Sequence, residues 1–139
     1  MSDIILKQLA PKGYLRAAIN LSNFLLVTGV DKNGDPEGVS PDLAKALANE
    51  LNVEVKLIPF QRPGELADAV SDDIWDVGNI ANEAERAKSI TFSSPYTLIE
   101  STFLVRDSSN IKSYRRVELK SVTTSCCFWV TKHYTNFHS

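Results

Sequence analysis

Cysteine is nearly absent from this 139-residue chain: the only two, Cys126 and Cys127, are adjacent. Adjacent cysteines rarely bridge to each other, so no disulfide framework is available. Histidine is as scarce, and Cys126, Cys127, His133 and His138 do not form a usual zinc-finger spacing, so no metal is expected. No hydrophobic stretch approaches the length of a transmembrane helix. Met1-Ser2-Asp3 is followed by only Ile4-Ile5-Leu6 before Lys7, too short an apolar stretch for a secretion signal and without basic residues ahead of it. A chain complete as written would therefore stay in the cytoplasm. A formal net charge of −2 gives no general pull toward nucleic acid or anionic lipid. No internal repeat is visible.

What is present is ordinary for one soluble domain with a respectable core: 43% hydrophobic and 23% charged residues. The charge is uneven. Residues 1–111 hold 10 basic and 16 acidic groups, whereas residues 112–139 hold 5 basic groups and Glu118 alone. That shift marks a boundary near residue 111.

Up to residue 105 the pattern alternates strand and helix, after a lead-in over residues 1–12. Leu15–Ile19 follows Gly13 as a short apolar strand. Asn33-Gly34 is a tight-turn signal, with Pro36 and Gly38 as further breaks. Ser40-Pro41-Asp42 announces a helix with Ser40 as N-cap, and Leu43, Ala46, Leu47 and Leu51 carry it to a stop at Asn52. Val53–Ile58 alternates and is rich in β-branched residues, a second strand. Leu66, Ala69 and Val70 predict a short helix after Pro63-Gly64. Trp75-Asp76-Val77-Gly78 leads a third strand, with the Trp and Asp in structural roles. Asn82 and Glu85 have the spacing of a capping box for a short helix to about Ala87. Tyr96–Val105 is the longest strand-like run. This alternation predicts an α/β fold, mainly parallel and flanked by helices. Residues 120–139 break the pattern, with scattered aromatics and no amphipathic period. They read as an atypical tail, frameshifted or artificial, with an edge strand as the alternative.

In an open α/β sheet, ligands bind outside the carboxyl ends of the strands. That rule selects Asn20, Ser22, Asn23 and Phe24 after the first strand, Phe60 and Arg62 after the second, and Asn79, Ile80, Ala81 and Arg86 after the third. The set holds amides, two aromatic faces and two guanidinium groups, with no nucleophile–base pair and no cofactor motif. It suits orienting a small polar ligand rather than breaking a bond. Phe24 and Phe60 are candidate walls, or simply core. Asn20 and Asn23 are candidate ligand contacts, or a loop satisfying its own backbone. Arg62, before Pro63, is expected to face solvent.

Gly13-Tyr14-Leu15-Arg16, Gly38-Val39-Ser40-Pro41-Asp42-Leu43-Ala44, Trp75-Asp76 with Glu85-Arg86, and Ile90-Thr91-Phe92-Ser93-Ser94-Pro95-Tyr96 resemble, in order and spacing, the family 3 extracellular solute-binding proteins. These are the periplasmic amino-acid receptors of ABC transporters. The resemblance implies a periplasmic, monomeric two-lobed clamshell, with residues 13–105 as its first lobe and 106–119 as hinge and start of the second. It implies an amino acid or related carboxylate as ligand and a membrane permease as partner. Arg86 then matches the arginine that pairs with the ligand carboxylate, at a helix N-terminus that adds backbone donors; the alternative is a surface pair with Glu83 or Glu85. Asn79, Ala81 and Asn82 stand where members reading α-amino acids place Ser or Thr. Two other readings remain: a truncated, non-binding fragment, and an enzyme like the cyclohexadienyl dehydratases on the same fold. For the latter, Glu83 is the one cleft-facing acid, and a helix start explains it more simply.

Overall fold

The computed structural model describes residues 3–99, 106 and 108, and the strand 125–131. The elements are α1 (Asp3–Leu9), β1 (Tyr14–Asn20), β2 (Gly29–Val30), β3 (Pro36–Glu37), α2 (Val39–Leu51), β4 (Glu54–Phe60), α3 (Pro63–Asp68), β5 (Val77–Ala81), β6 (Thr91–Phe92), β7 (Thr97–Ile99) and β8 (Ser125–Thr131). Two 3-10 turns, Ala69–Asp72 and Arg86–Lys88, complete them. A six-stranded sheet runs in the order β4-β1-β5-β8-β6, with β7 also paired to β8. β1 is parallel to β4 and to β5, and β8 is antiparallel to its neighbours. The α/β class with a parallel centre is therefore as expected.

β1 explains how the sheet acquires two cores. Leu15, Ala17 and Ile19 face one side, packing with Ala44, Ala48 and Leu51 of α2 and with α1 through Ile5, Leu6 and Leu9. Ala18 faces the other, with Leu66 of α3, Trp75, Ile80 and Ile90. A strand covered on both faces buries nearly every position, as β1 does from Leu15 to Asn20, and its polar residues then need partners. Trp75 is fully buried, and its indole N–H donates to the Leu66 carbonyl at 3.1 Å, which fixes α3 against the strand that follows.

One charge is buried in this sheet, and it is paired. Arg16 and Asp76 are each 4% exposed. Arg16 donates from Nε and Nη2 to the two Asp76 oxygens at 3.0 and 2.5 Å. Its Nη2 also reaches Asp73 Oδ1 at 3.1 Å, and Nη1 donates to the Asp73 carbonyl. The Asp76 carboxylate additionally accepts the Arg16 backbone N–H at 3.0 Å. The bond to Asp76, with the further contacts to Asp73, holds the Arg16 guanidinium well above its ordinary ionisation range. The network staples β1 to the residues that lead into β5, on either side of the sheet's centre.

The α2 N-terminus differs from the expected one. Gly38, not Ser40, is the cap residue, with no side-chain cap bond. The Ser40 hydroxyl instead accepts from Asn79 Nδ2 at 2.8 Å, so it ties α2 to β5. Gly38 has φ +133°, and a Cβ there would meet the Leu26 carbonyl oxygen at 2.5 Å. Gly38→Ala is expected to lose about 1–3 kcal/mol from the backbone conformation alone, with the clash adding to it; urea unfolding of the two proteins measures the difference. At the other end Asn52 is left-handed (φ 56°) and closes the helix as expected. The Asn33-Gly34 turn joins β2 to β3. Asp31 Oδ1 accepts the Asn33 and Asp35 amides at 2.7 and 2.9 Å, and those bonds lower its pKa. Its contribution to the turn therefore fades as pH falls through that lowered value.

The tail corrects the sequence reading most. Ser125–Thr131 is neither irregular nor an edge strand: it lies inside the sheet, pairing with β5 from Val77↔Thr131 to Ala81↔Cys127 on one side and with β6 and β7 on the other. Slow amide exchange is expected across Cys126–Val130, at rates comparable to β1; exchange as fast as in the 21–26 loop would contradict this placement. Of the predicted strand 96–105, β7 covers Thr97–Ile99; residues 100–105, most of 106–119, His133 and His138 lie outside the described residues. Among the described residues no helix is long and apolar enough to cross a membrane.

Candidate functional site

The three parallel strands end on one side of the sheet, and an open cleft of about 250 Å³ lies there. That is below the usual range for drug-sized ligands. Its lining comes from Asn20, Ser22, Asn23, Phe24 and Leu25 after β1, Pro63 after β4, and Ile80, Ala81, Glu83 and Arg86 at and after β5. Seven of the sequence-selected residues thus meet: Asn20, Ser22, Asn23, Phe24, Ile80, Ala81 and Arg86.

Three selected residues, Phe60, Asn79 and Arg62, do not line the cleft. Phe60 is partly buried against the second core, beside Ala18, Leu66 and Trp75; an aromatic at the end of a strand finds more apolar surface there. Asn79 is 3% exposed and binds Ser40 on the α2 side of the sheet. Its neighbours Ile80 and Ala81 do line the cleft. Asn79 Oδ1 is buried without a hydrogen-bond partner among the described residues. Arg62 is exposed, as expected.

The 20–25 loop is held by its own amides. Asn20 Oδ1 accepts from Ser22 N at 3.2 Å and Ser22 Oγ at 2.8 Å, and Asn23 Oδ1 accepts from Leu25 N at 3.3 Å. The self-satisfying role and the cleft-lining role are therefore both realised. The Asn20 carboxamide nitrogen makes no hydrogen bond among the described residues, which leaves a donor at the cleft. Phe24 is 79% and Leu25 52% exposed, an apolar lip on one rim.

Arg86 sits on a three-residue 3-10 turn rather than at a helix N-terminus. The capping box does not form: Glu85 pairs with Lys88 at 2.5 Å instead. Of the residues 82–90 only Ile90 is buried, so no apolar stripe holds a longer helix on the sheet. No α-helix N-terminus stands at this position, and Arg86 is the cation among the residues lining the cleft. Its Nη1 donates to the Ala81 carbonyl at 3.1 Å and pairs with Glu83 Oε1 at 3.1 Å. Nε and Nη2, the other edge of the fork, have no partner among the described residues. The surface pair with Glu83, the alternative offered by the sequence, is thus formed at Nη1.

Residues 18–138 match the family described as bacterial extracellular solute-binding proteins, family 3. The chain belongs to that family. Its sheet, flanked by helices, is a periplasmic-binding-protein lobe. An arginine-bound mutant of domain 1 of the arginine-binding protein of T. maritima is 29% identical, with a TM-score of 0.56 over 66% of this chain and 71% of that one. A protein described as an ABC transporter binding component from Wolinella succinogenes, complexed with lysine, is 25% identical, with a TM-score of 0.62 over 75% of this chain and 46% of that one. An ancestral cyclohexadienyl dehydratase is 28% identical, with a TM-score of 0.58 over 67% of this chain and 39% of that one. This family 3 chain spans less than half the length of the last two. No curated protein matches it.

Proposed function

We propose that this family 3 lobe recognises a small amino acid or related carboxylate in the cleft, outside the cytoplasmic membrane and as a monomer, for delivery to an ABC permease. The observation that carries the reading is Arg86: one nitrogen is anchored to Ala81 and Glu83, and the free Nε–Nη2 edge is left to a ligand. That edge matches a carboxylate through two parallel charge-assisted hydrogen bonds. Asn20 supplies a further donor, and Phe24 and Leu25 an apolar surface for the ligand's aliphatic part. The arginine-bound and lysine-bound relatives support a ligand of this class.

The likeness to a dehydratase supports a second reading, catalysis on the same lobe. We favour binding, because a dehydratase needs a protonated acid at the leaving hydroxyl, and Glu83 stands as the counter-ion of Arg86. Calorimetric titration of the chain with L-arginine and L-lysine tests the binding reading: saturable heat that disappears at high salt is the expected result. No heat with either ligand, alongside turnover of prephenate or arogenate, would reverse the preference.

A further inference from the structure

The two walls of the cleft belong to strands that separate as they reach it. β1 stays paired with β4 along its whole length, up to Asn20↔Phe60. With β5 its pairing covers Ala17↔Val77 and Ala18↔Gly78 and goes no further. Asn20, at the end of β1, and Ile80 and Ala81, at the end of β5, line the cleft beyond the point where that pairing stops. Ladder hydrogen bonds between the two strands therefore do not fix the distance between these walls.

The first turn of α2 spans the opening. On one side, the Asn23 carbonyl accepts the Leu26 and Val27 amides at 3.0 and 2.8 Å, and the Leu26 carbonyl accepts the Ser40 amide at 2.9 Å. On the other side, Asn79 Nδ2 donates to the Ser40 hydroxyl at 2.8 Å, and Asn79 directly precedes Ile80 and Ala81. Ser40 thus holds the 20–26 segment by its backbone and β5 by its side chain. The Ala81 carbonyl in turn holds Arg86, so a shift of β5 carries the guanidinium with it. Ser40 and Asn79 are 2% and 3% exposed, which keeps water from competing for their bond. Asn79 Oδ1 has no partner among the described residues, so the bond to Ser40 is what fixes this amide.

We propose that Ser40 and Asn79 are positioning residues whose hydrogen bond sets the separation of the two cleft walls, and through it the fit of the ligand. Neither side chain is among those lining the cleft, so both act through the walls they hold. The effect on the ligand rests on the proposed function; the bracing of the walls does not. A binding constellation tolerates misplacement of only about 0.5 Å, and diverging strands with no brace between them do not hold that tolerance. Because the bond acts by keeping the walls in their binding geometry, its loss costs no more affinity than the bond itself is worth.

Amide NMR spectra and L-arginine titrations of the full chain, Ser40→Ala, Asn79→Ala and the double variant test this. Without ligand, Asn79→Ala is expected to shift the amide signals of Asn23 and Phe24, on the opposite wall. L-arginine affinity is expected to fall by up to roughly tenfold in each single variant, the scale of one hydrogen bond. It is expected to fall no further in the double variant, because either change releases the same brace. A lower urea midpoint with unmoved Asn23 and Phe24 signals and unchanged affinity would reduce the pair to a contribution to stability and overturn the proposal. Losses that multiply in the double variant would overturn it as well, since the two residues would then act separately. If Asn79→Ala does not fold, Ser40→Ala decides alone: unmoved Ile80 and Ala81 signals with unchanged affinity refute the brace. If the unaltered chain takes up no L-arginine, the proposed function falls. The ligand-free spectra then still decide the brace, by whether the Asn23 and Phe24 signals move.

Discussion

Asp76→Ala is expected to lower the unfolding free energy by about 3–5 kcal/mol, the largest effect of any single substitution considered for this chain. The substitution leaves Arg16 buried at 4% exposure with its two best acceptors gone. A guanidinium does not shed its proton under ordinary conditions, so it cannot escape the desolvation by becoming neutral. The Asp73 contacts remain, but Asp73 is about half exposed and recovers part of the loss only. The Lys12–Asp73 pair, at 3.3 Å with both side chains about half exposed, supplies the comparison. Lys12→Ala is expected to change stability by no more than about 1 kcal/mol. Guanidinium or urea denaturation of the three proteins decides it. A small Asp76→Ala effect would mean that β1 and the β5 lead-in part easily enough for water to reach Arg16.

Arg86→Ala is expected to weaken binding of L-arginine by about 2 kcal/mol or more, roughly thirtyfold in affinity. The substitution removes the cation from the cleft and also leaves Glu83 facing the ligand carboxylate. Arg86→Lys is expected to recover part of the affinity, because an ammonium keeps the charge but cannot make two parallel bonds. Arg86 also fastens the Ala81 carbonyl, so amide spectra of β5 must match those of the unaltered chain before a loss is read as ligand recognition. Equal affinities in all three proteins would return Arg86 to the role of a surface partner for Glu83.

Much of this was legible in the sequence because the parallel strands are short, apolar and separated by clear breaks. β1 was readable from Leu15–Ile19, and α2 from Ser40-Pro41-Asp42 and its apolar spacing. The cleft followed from one topological rule applied to Asn20, Ala81 and Arg86, which lie at or just beyond the ends of β1 and β5. The failures have physical causes. Phe60 ends β4 and Asn79 lies in the middle of β5, but which face a side chain takes depends on register, and a shift of one residue reverses it. The segment after β5 satisfies the capping-box spacing, yet nothing apolar follows to dock it, so propensity alone did not make a helix. Ser125–Thr131 takes its place through backbone pairing with β5, β6 and β7, which side-chain periodicity does not report. Helix α1, in the lead-in, was missed for a related reason: only the contact of Ile5, Leu6 and Leu9 with the first core gives so short a helix its stability.

The most direct measurement of the central claim follows the Arg86 Nε–H resonance, together with the amides of residues 20–25 and 81–86, while L-arginine is added to the isotope-labelled chain. These signals are expected to move together along one saturable curve, with the Arg86 Nε–H shifting downfield as its free edge takes the carboxylate. A ligand that leaves the Arg86 signal in place while amides elsewhere in the chain respond would contradict it.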